Sequence, residues 1–152
     1  MPKASVKRLI ECKKKDLIDL VLDIEKYPEF VPFCFDAKVY ENKNEGDLTK
    51  MIADLTIGKG PFKDTYKSDV VFNKKENSIF VKNIEGPLNH LSNNWNFVDK
   101  ENGITEITFD IDFEIKNKFL NSLMIVSFQF GLEKIADAFQ KRAQDLYQPL
   151  KK

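Results

Sequence analysis

Apolar and acidic positions alternate through Ile104–Ile115. Ile107, Phe109, Ile111, Phe113 and Ile115 fall on one side, and Glu106, Asp110, Asp112 and Glu114 on the other. A period of two predicts a strand with one dry and one wet face. Such strands belong to an antiparallel sheet covered on one side only. Phe62–Phe72 repeats the pattern, with Phe62, Tyr66, Ser68, Val70 and Phe72 on one face and Lys63, Thr65, Lys67 and Asp69 on the other. Further strands are predicted over Ser5–Glu11, Cys34–Glu41, Leu48–Ile57, Ser78–Ile84 and Leu88–Val98. Turn signals separate them: Asn42–Gly46, Gly58–Pro61, Lys74–Asn77, Gly86-Pro87 and Asp99–Gly103.

Two segments change period. Leu17, Leu20, Val21 and Ile24 recur at helical spacing, which predicts a helix over 14–23. Pro28 ends it or begins a second short helix at Tyr27–Phe30, and Pro32 closes that segment. Lys118–Tyr147 reads as one long helix with Asn117 as N-cap. Leu120, Leu123, Met124, Phe128, Ile135, Phe139 and Leu146 share its broad apolar side, opposite Glu133, Gln140 and Gln144. A strand, short helices, six antiparallel strands and a long helix make an α+β roll, with the last helix covering the sheet's dry face.

Two features exceed a plain core. Phe119, Ile125, Val126 and Phe130 extend the helix's apolar surface beyond the sheet-facing arc. That patch fits packing by the short helices, a dimer contact, or a greasy mouth meeting ligand or membrane. The inward face also carries Tyr66, Ser68, Asn93 and Arg142. Buried polar groups must be hydrogen-bonded, so these satisfy each other or waters, or line the polar end of a cavity.

Composition narrows the function. The 152 residues suffice for a single domain over 1–152 with its own core. Formal net charge is zero, so nothing calls for a nucleic-acid partner, and DNA is not expected. The 13 phenylalanines supply large apolar surface, for the core or for a ligand. Cys12 and Cys34 lack CxxC spacing and read as reduced thiols. No signal-peptide pattern opens the chain, and Phe119–Leu132 is too short and polar to cross a bilayer. A cytoplasmic protein, at most peripheral to the inner membrane, is expected.

Catalytic and metal motifs are sparse. His90 is the sole histidine, so no histidine pair can hold a metal. Glu106, Asp110, Asp112 and Glu114 on one face of a straight strand cannot wrap a cation. Gly58-Lys59-Gly60 has neither phosphate-loop nor dinucleotide spacing. Lys13-Lys14-Lys15 with Lys7 and Arg8 is a basic cluster: solvated surface, or a contact for anionic lipid or ribosomal RNA.

Four segments in order carry a resemblance: Tyr27-Pro28-Glu29-Phe30-Val31-Pro32-Phe33-Cys34; Tyr66-x-Ser68-x-Val70; Gly86-Pro87-Leu88-x-x-Leu91-x-x-x-Trp95-x-Phe97; and Ala138-Phe139-x-x-Arg142-Ala143-x-x-Leu146-Tyr147. Over residues 4–147 the chain resembles the coenzyme Q-binding START-like family of the polyketide cyclase superfamily, which also includes the ribosome-association toxin RatA. Phe33 replaces a common Trp and Leu88 a common Phe. The resemblance implies a helix-grip fold, a seven-stranded sheet wrapped on the C-terminal helix with a tunnel between them. It implies a ligand, ubiquinone or another polyisoprenoid quinone, carried in support of respiration rather than transformed, with no catalytic residue, metal or further cofactor. Pro28, Phe30, Tyr66, Ser68, Trp95 and Phe97 occupy its motif positions. Strand parity points Tyr66, Trp95 and Phe97 inward as pocket walls; Pro28 and Phe30 are expected at the mouth. Leu55, Val70, Phe109, Phe113, Met124, Phe128, Ile135 and Phe139 complete the expected lining. Two alternatives remain: a RatA-like factor binding the large ribosomal subunit, and an aromatase/cyclase-type enzyme built on Tyr66, Asp64 and His90.

Overall fold

The computed structural model describes residues 3–59, 62–86 and 88–147, with side chains for all of these except 59, 62 and 120–128. The elements run β1 (Lys3–Ile10), α1 (Lys14–Leu22), a 3-10 helix (Ile24–Glu29), β2 (Cys34–Glu45), β3 (Leu48–Lys59), β4 (Phe62–Asn73), β5 (Ser78–Glu85), β6 (Leu88–Asp99), β7 (Thr105–Ile115) and α2 (Lys118–Tyr147). The strands form a seven-stranded antiparallel sheet in the order β1-β7-β6-β5-β4-β3-β2. Strands β2 to β7 form a meander of short connections. The chain crosses from one sheet edge to the other once, through α1 and the 3-10 helix. This is the expected helix-grip α+β fold.

Most strand boundaries hold to within two residues, but β3 runs on through Gly58 and Lys59, expected as part of a turn whose Gly60 and Pro61 lie outside the described residues. The segment 42–45 is not a loop: β2 continues to Glu45, which pairs directly with Leu48. Gly46 takes φ +61°, and that left-handed residue lets two residues close the turn. Polar residues there are compatible with a strand because β2 is a sheet edge in contact with water.

The core forms where α2 crosses the concave face. Trp95 lies 4.2 Å from Phe109 and 5.1 Å from Phe139, between ring centroids. Phe139 also meets Tyr27 at 5.4 Å and Phe30 at 5.0 Å, both edge to face. One side chain thus joins the sheet, the 3-10 helix and α2. Leu17, Ile18, Leu20 and Val21 of α1 are buried beside this cluster. Leu146, expected on the covered side, is 52% exposed. The helix's apolar stripe continues past the end of the surface it covers, and Ala143 is its last fully buried residue.

The Gly86 corner also requires its residue. A Cβ there would stand 2.9 Å from both Cα and Cβ of Tyr66, at φ +133°. Replacing Gly86 with Ala is expected to cost about 1–3 kcal/mol, as a strained backbone position does. Phe139→Ala should lose about 3–5 kcal/mol through the cavity it leaves. Phe119, 71% exposed, is the control, and its replacement by Ala should stay within about 0.5 kcal/mol. Urea titrations of the three variants check the ranking.

Candidate ligand-binding site

Cross-strand register sorts the concave face into two halves. Near the β6–β7 turn, Trp95, Phe97, Ile107, Phe109 and Phe139 are all buried. A cavity of about 20 Å³ remains there, bounded by Val6, Ile10, Trp95, Phe109, Ile135 and Phe139. That is room for about one water. Trp95, Phe97, Phe109, Ile135 and Phe139 therefore pack on one another as a closed floor, not as the walls of a long tunnel.

Toward the Gly86 corner the face is less filled. Val70, Val81, Asn93 and Ile111 lie opposite one another on four neighbouring strands. Leu55 and Tyr66 form a second facing pair. Val70 is buried, but Leu55, Tyr66, Val81, Asn93 and Ile111, though inward, are only half-buried. Phe113 joins Leu88 and Leu91 in a small separate cluster against Tyr66, Ile111 and Ile115. The sheet thus presents accessible apolar surface on its concave side. The facing half of α2 holds Met124 and Phe128, whose side chains lie outside the described residues.

Polar groups on this face differ in what they have left to offer. Ser68 is 1% exposed and donates its hydroxyl to the Ala53 carbonyl at 3.4 Å, within the sheet. Asn83 uses both ends of its amide, accepting from Leu91 N–H at 2.9 Å and donating to the Leu88 carbonyl at 3.3 Å. Those bonds follow a register shift between Leu88 and His90. The Tyr66 side chain is half-buried. Desolvation, then the nearby Cys34, raises its pKa, so it stays a neutral donor. Burial pushes the Cys34 thiol up to about 11. The Tyr27 hydroxyl, raised for the same reason, donates to the Val21 carbonyl and is structural.

Several residues stand elsewhere than expected. Phe30 packs on Phe139, beneath the Arg142 guanidinium at 5.0 Å, so it belongs to the closed end and not to the mouth. Pro28 is exposed within the 3-10 helix. Arg142 is part-buried: its Nε is covered, its guanidinium lies over Phe30, and its outer end clasps Glu29 at 2.8 Å. Phe33 takes the position near the mouth instead. Its backbone has φ +71°, its carbonyl accepts from Gly58 N–H at 2.9 Å, and its ring faces Gly131 of α2. The departure from Trp was its one sequence signal. Ile111 was legible as inward by parity, but not as accessible.

The acid–base candidates do not converge. His90 and Asp112 lie 3.6 Å apart on the convex side, away from Tyr66. Asp64 is exposed and accepts from the Thr65 N–H. Three of the four carboxylates of β7 have separate partners: Asp110 with Ser5, Asp112 with Lys3 and His90, Glu114 with Asn89. Among the described residues no three His, Cys, Asp or Glu side chains could together hold a metal ion, and no helix is long and apolar enough to cross a membrane.

Residues 11–140 match the family described as polyketide cyclase / dehydrase and lipid transport. The chain belongs to that family. It is 32% identical over 142 residues to the ribosome association toxin RatA of Rickettsia prowazekii, covering 91% of this chain and 94% of that one. It is also 32% identical over 131 residues to the mitochondrial coenzyme Q-binding protein COQ10 of Dictyostelium discoideum, covering 84% of this chain and 62% of that protein. A START superfamily protein from Mycobacterium smegmatis has the same fold, with TM-score 0.78 at 19% identity over 95% of this chain and 98% of that one. So does the Zhui aromatase/cyclase from Streptomyces, with TM-score 0.78 at 11% identity over 93% of each chain. At those identities the two structures show the fold alone. START-like architecture is therefore common to a named toxin, a named quinone-binding protein and a named cyclase.

Two expected outcomes follow from these environments. A thiol held near 11 is almost wholly protonated at pH 8, so Cys34 should alkylate about 100-fold more slowly than a free cysteine. Mass spectrometry of timed iodoacetamide reactions on the Cys12→Ala variant measures this. Arg142, hydrogen-bonded to Glu29, holds that carboxyl below its ordinary 4.5. A lowered carboxyl stabilises the fold above its unfolded pKa and loses that contribution as pH falls. The melting temperature should drop more between pH 5 and 3 in the parent than in Glu29→Gln.

Proposed function

We propose that this chain is a non-enzymatic binding protein for a hydrophobic ligand, most specifically a polyisoprenoid quinone such as ubiquinone, which it carries or presents in support of respiratory electron transport. The observation that carries this is the half-open concave face: inward-facing Leu55, Tyr66, Val81 and Ile111 remain accessible beside a floor sealed by Trp95, Phe109 and Phe139. Apolar contact contributes roughly 25 cal/mol per Å², so a prenyl chain can be held without charged contacts. Ordering its bonds offsets part of that gain. The quinone head needs one or two donors, and the neutral Tyr66 hydroxyl is one. Leu55, Tyr66, Val70 and Phe113 on the sheet, with Met124 and Phe128 of α2, are assigned as lining. The name of the Dictyostelium relative supports the ligand class. A carrier of this kind acts as one domain over 1–152, in the cytoplasm and at the face of the inner membrane from which its ligand comes.

One observation favours a second reading: the relative named as a ribosome association toxin matches over 94% of its own length. That reading requires contact with the large ribosomal subunit. The basic cluster available for it is partly neutralised, since Lys14 pairs with Asp99 at 2.9 Å and Lys15 with Asp19 at 3.1 Å. The cyclase reading lacks convergent acid–base groups, as described above.

The test is extraction. Protein purified from a quinone-producing host should release quinone into organic solvent, and Leu55→Arg, which places a charge in the hollow, should release at least tenfold less. Repeated absence of quinone, together with no uptake of added quinone, overturns the carrier reading. Co-sedimentation with large ribosomal subunits at moderate salt, with no quinone bound, would establish the alternative.

A further inference from the structure

The outward side of α2 is apolar where a helix lying on a sheet ordinarily turns polar residues to water. Phe119 is 71% exposed and Phe130 65%. At 100° per residue these two positions fall within about 20° of each other, three turns and about 17 Å apart along the axis. By the same spacing positions 123 and 126, where the sequence has Leu and Val, share that side; their side chains lie outside the described residues. Leu132 and Phe139, both buried, mark the roughly opposite side, against the sheet. The 3-10 helix packs on the Phe139 end of α2 and leaves both exposed rings uncovered. A contiguous run of exposed apolar residues marks an interaction surface.

Charge identifies the partner. From Glu114 to Glu133 the sequence has no acidic residue between, in a chain where 24 of 152 residues are acidic. Lys116 and Lys118 are exposed at one end of this stretch. At the other end Lys134 holds its Nζ 4.7 Å from the centre of the Phe130 ring. Of the acids beyond, Asp137 is paired with Arg8 at 3.0 Å, and Glu133 is exposed. Rings bounded at both ends by ammonium groups match a layer of phosphates above hydrocarbon, which is the surface of an anionic bilayer. Each ring can settle among acyl chains while a lysine stem reaches back to the headgroups. A second copy of the chain would bring the same cationic surface and not a complementary one. Among the described residues no helix is long and apolar enough to cross a membrane, so α2 would lie along the surface.

We infer that the outward face of α2 between Phe119 and Phe130 docks on an anionic lipid bilayer. The same half of the helix lies over the accessible part of the concave face, so docking brings that face to within about one helix diameter, roughly 10 Å, of the lipid. This goes beyond the carrier reading, because it rests on the opposite side of α2 and holds whatever the concave face binds.

Flotation of the full chain with vesicles tests it. The parent should float with vesicles of three parts phosphatidylcholine to one part phosphatidylglycerol. It should float at least tenfold less with phosphatidylcholine alone, and less with anionic vesicles as added salt screens the lysines. Replacing both exposed rings, Phe119→Ser with Phe130→Ser, should lower partitioning at least tenfold while leaving the melting temperature near the parent's. Phe80→Ser, which removes a ring 43% exposed on the convex side of the sheet, should float like the parent. Docking is overturned if the parent stays unbound to anionic vesicles, if the folded double variant floats as the parent does, or if Phe80→Ser loses as much. It is equally overturned if the parent ignores vesicles and sediments as a dimer that the double variant abolishes, since the face then belongs to a second copy. If the parent fails to float but still yields quinone on extraction, docking falls and the carrier reading stands. If it floats but neither yields nor takes up quinone, the carrier reading falls and docking stands.

Discussion

Phe139 meets Trp95, Tyr27 and Phe30 edge-on, with ring centroids 5.1, 5.4 and 5.0 Å away. Each such pair contributes about 0.5–1.5 kcal/mol beyond the area it buries. More important is what the contact joins. α2 is held to the sheet by its side chains, among them Gln129, which donates to the Ser5 carbonyl of β1 at 3.3 Å, and Asp137, paired with Arg8 at 3.0 Å. Phe139 fixes its C-terminal half against β6, β7 and the 3-10 helix at one point. The Arg142–Glu29 clasp lies one turn further on. The rest of α2 then extends across the sheet from a fixed end.

That anchoring makes the two halves of the concave face unequal. Where the helix is pinned, large rings fill the space and the remaining cavity is about 20 Å³. Away from the pin, inward residues keep accessible surface. A face filled at one end and accessible at the other suits a long apolar molecule, because the ordering cost falls on the ligand's chain and not on the protein's core.

The polar atoms of the sheet interior refine this picture. Ser68 and Asn83 are consumed in holding strands together, at the β3–β4 and β5–β6 pairings. The hydroxyl of Tyr66 and the Oδ1 of Asn93 are not. Polar groups with roles inside the fold cannot also define a ligand, whereas unspent ones can. The same scaffold carries a named toxin, a named quinone-binding protein and a cyclase. Function therefore has to be sought in such residues and not in the architecture.

Much of the fold was determined by the sequence alone. The period-two alternation in Ile104–Ile115 and Phe62–Phe72 made those strands and faced Phe109 and Tyr66 inward, because side chains of a strand must alternate. The change to helical spacing at Lys118 made α2, and both follow from local geometry. Tertiary structure alone decided which inward residues are walls, floor or clasp. Phe30 went to the closed end and Arg142 to its clasp on Glu29 because the 3-10 helix docks on the far half of α2. Leu146 lost its cover because the stripe outlasts the surface beneath it. The unpaired state of Asn93 depends on what neighbouring strands bring within reach, and no spacing in one dimension carries that information.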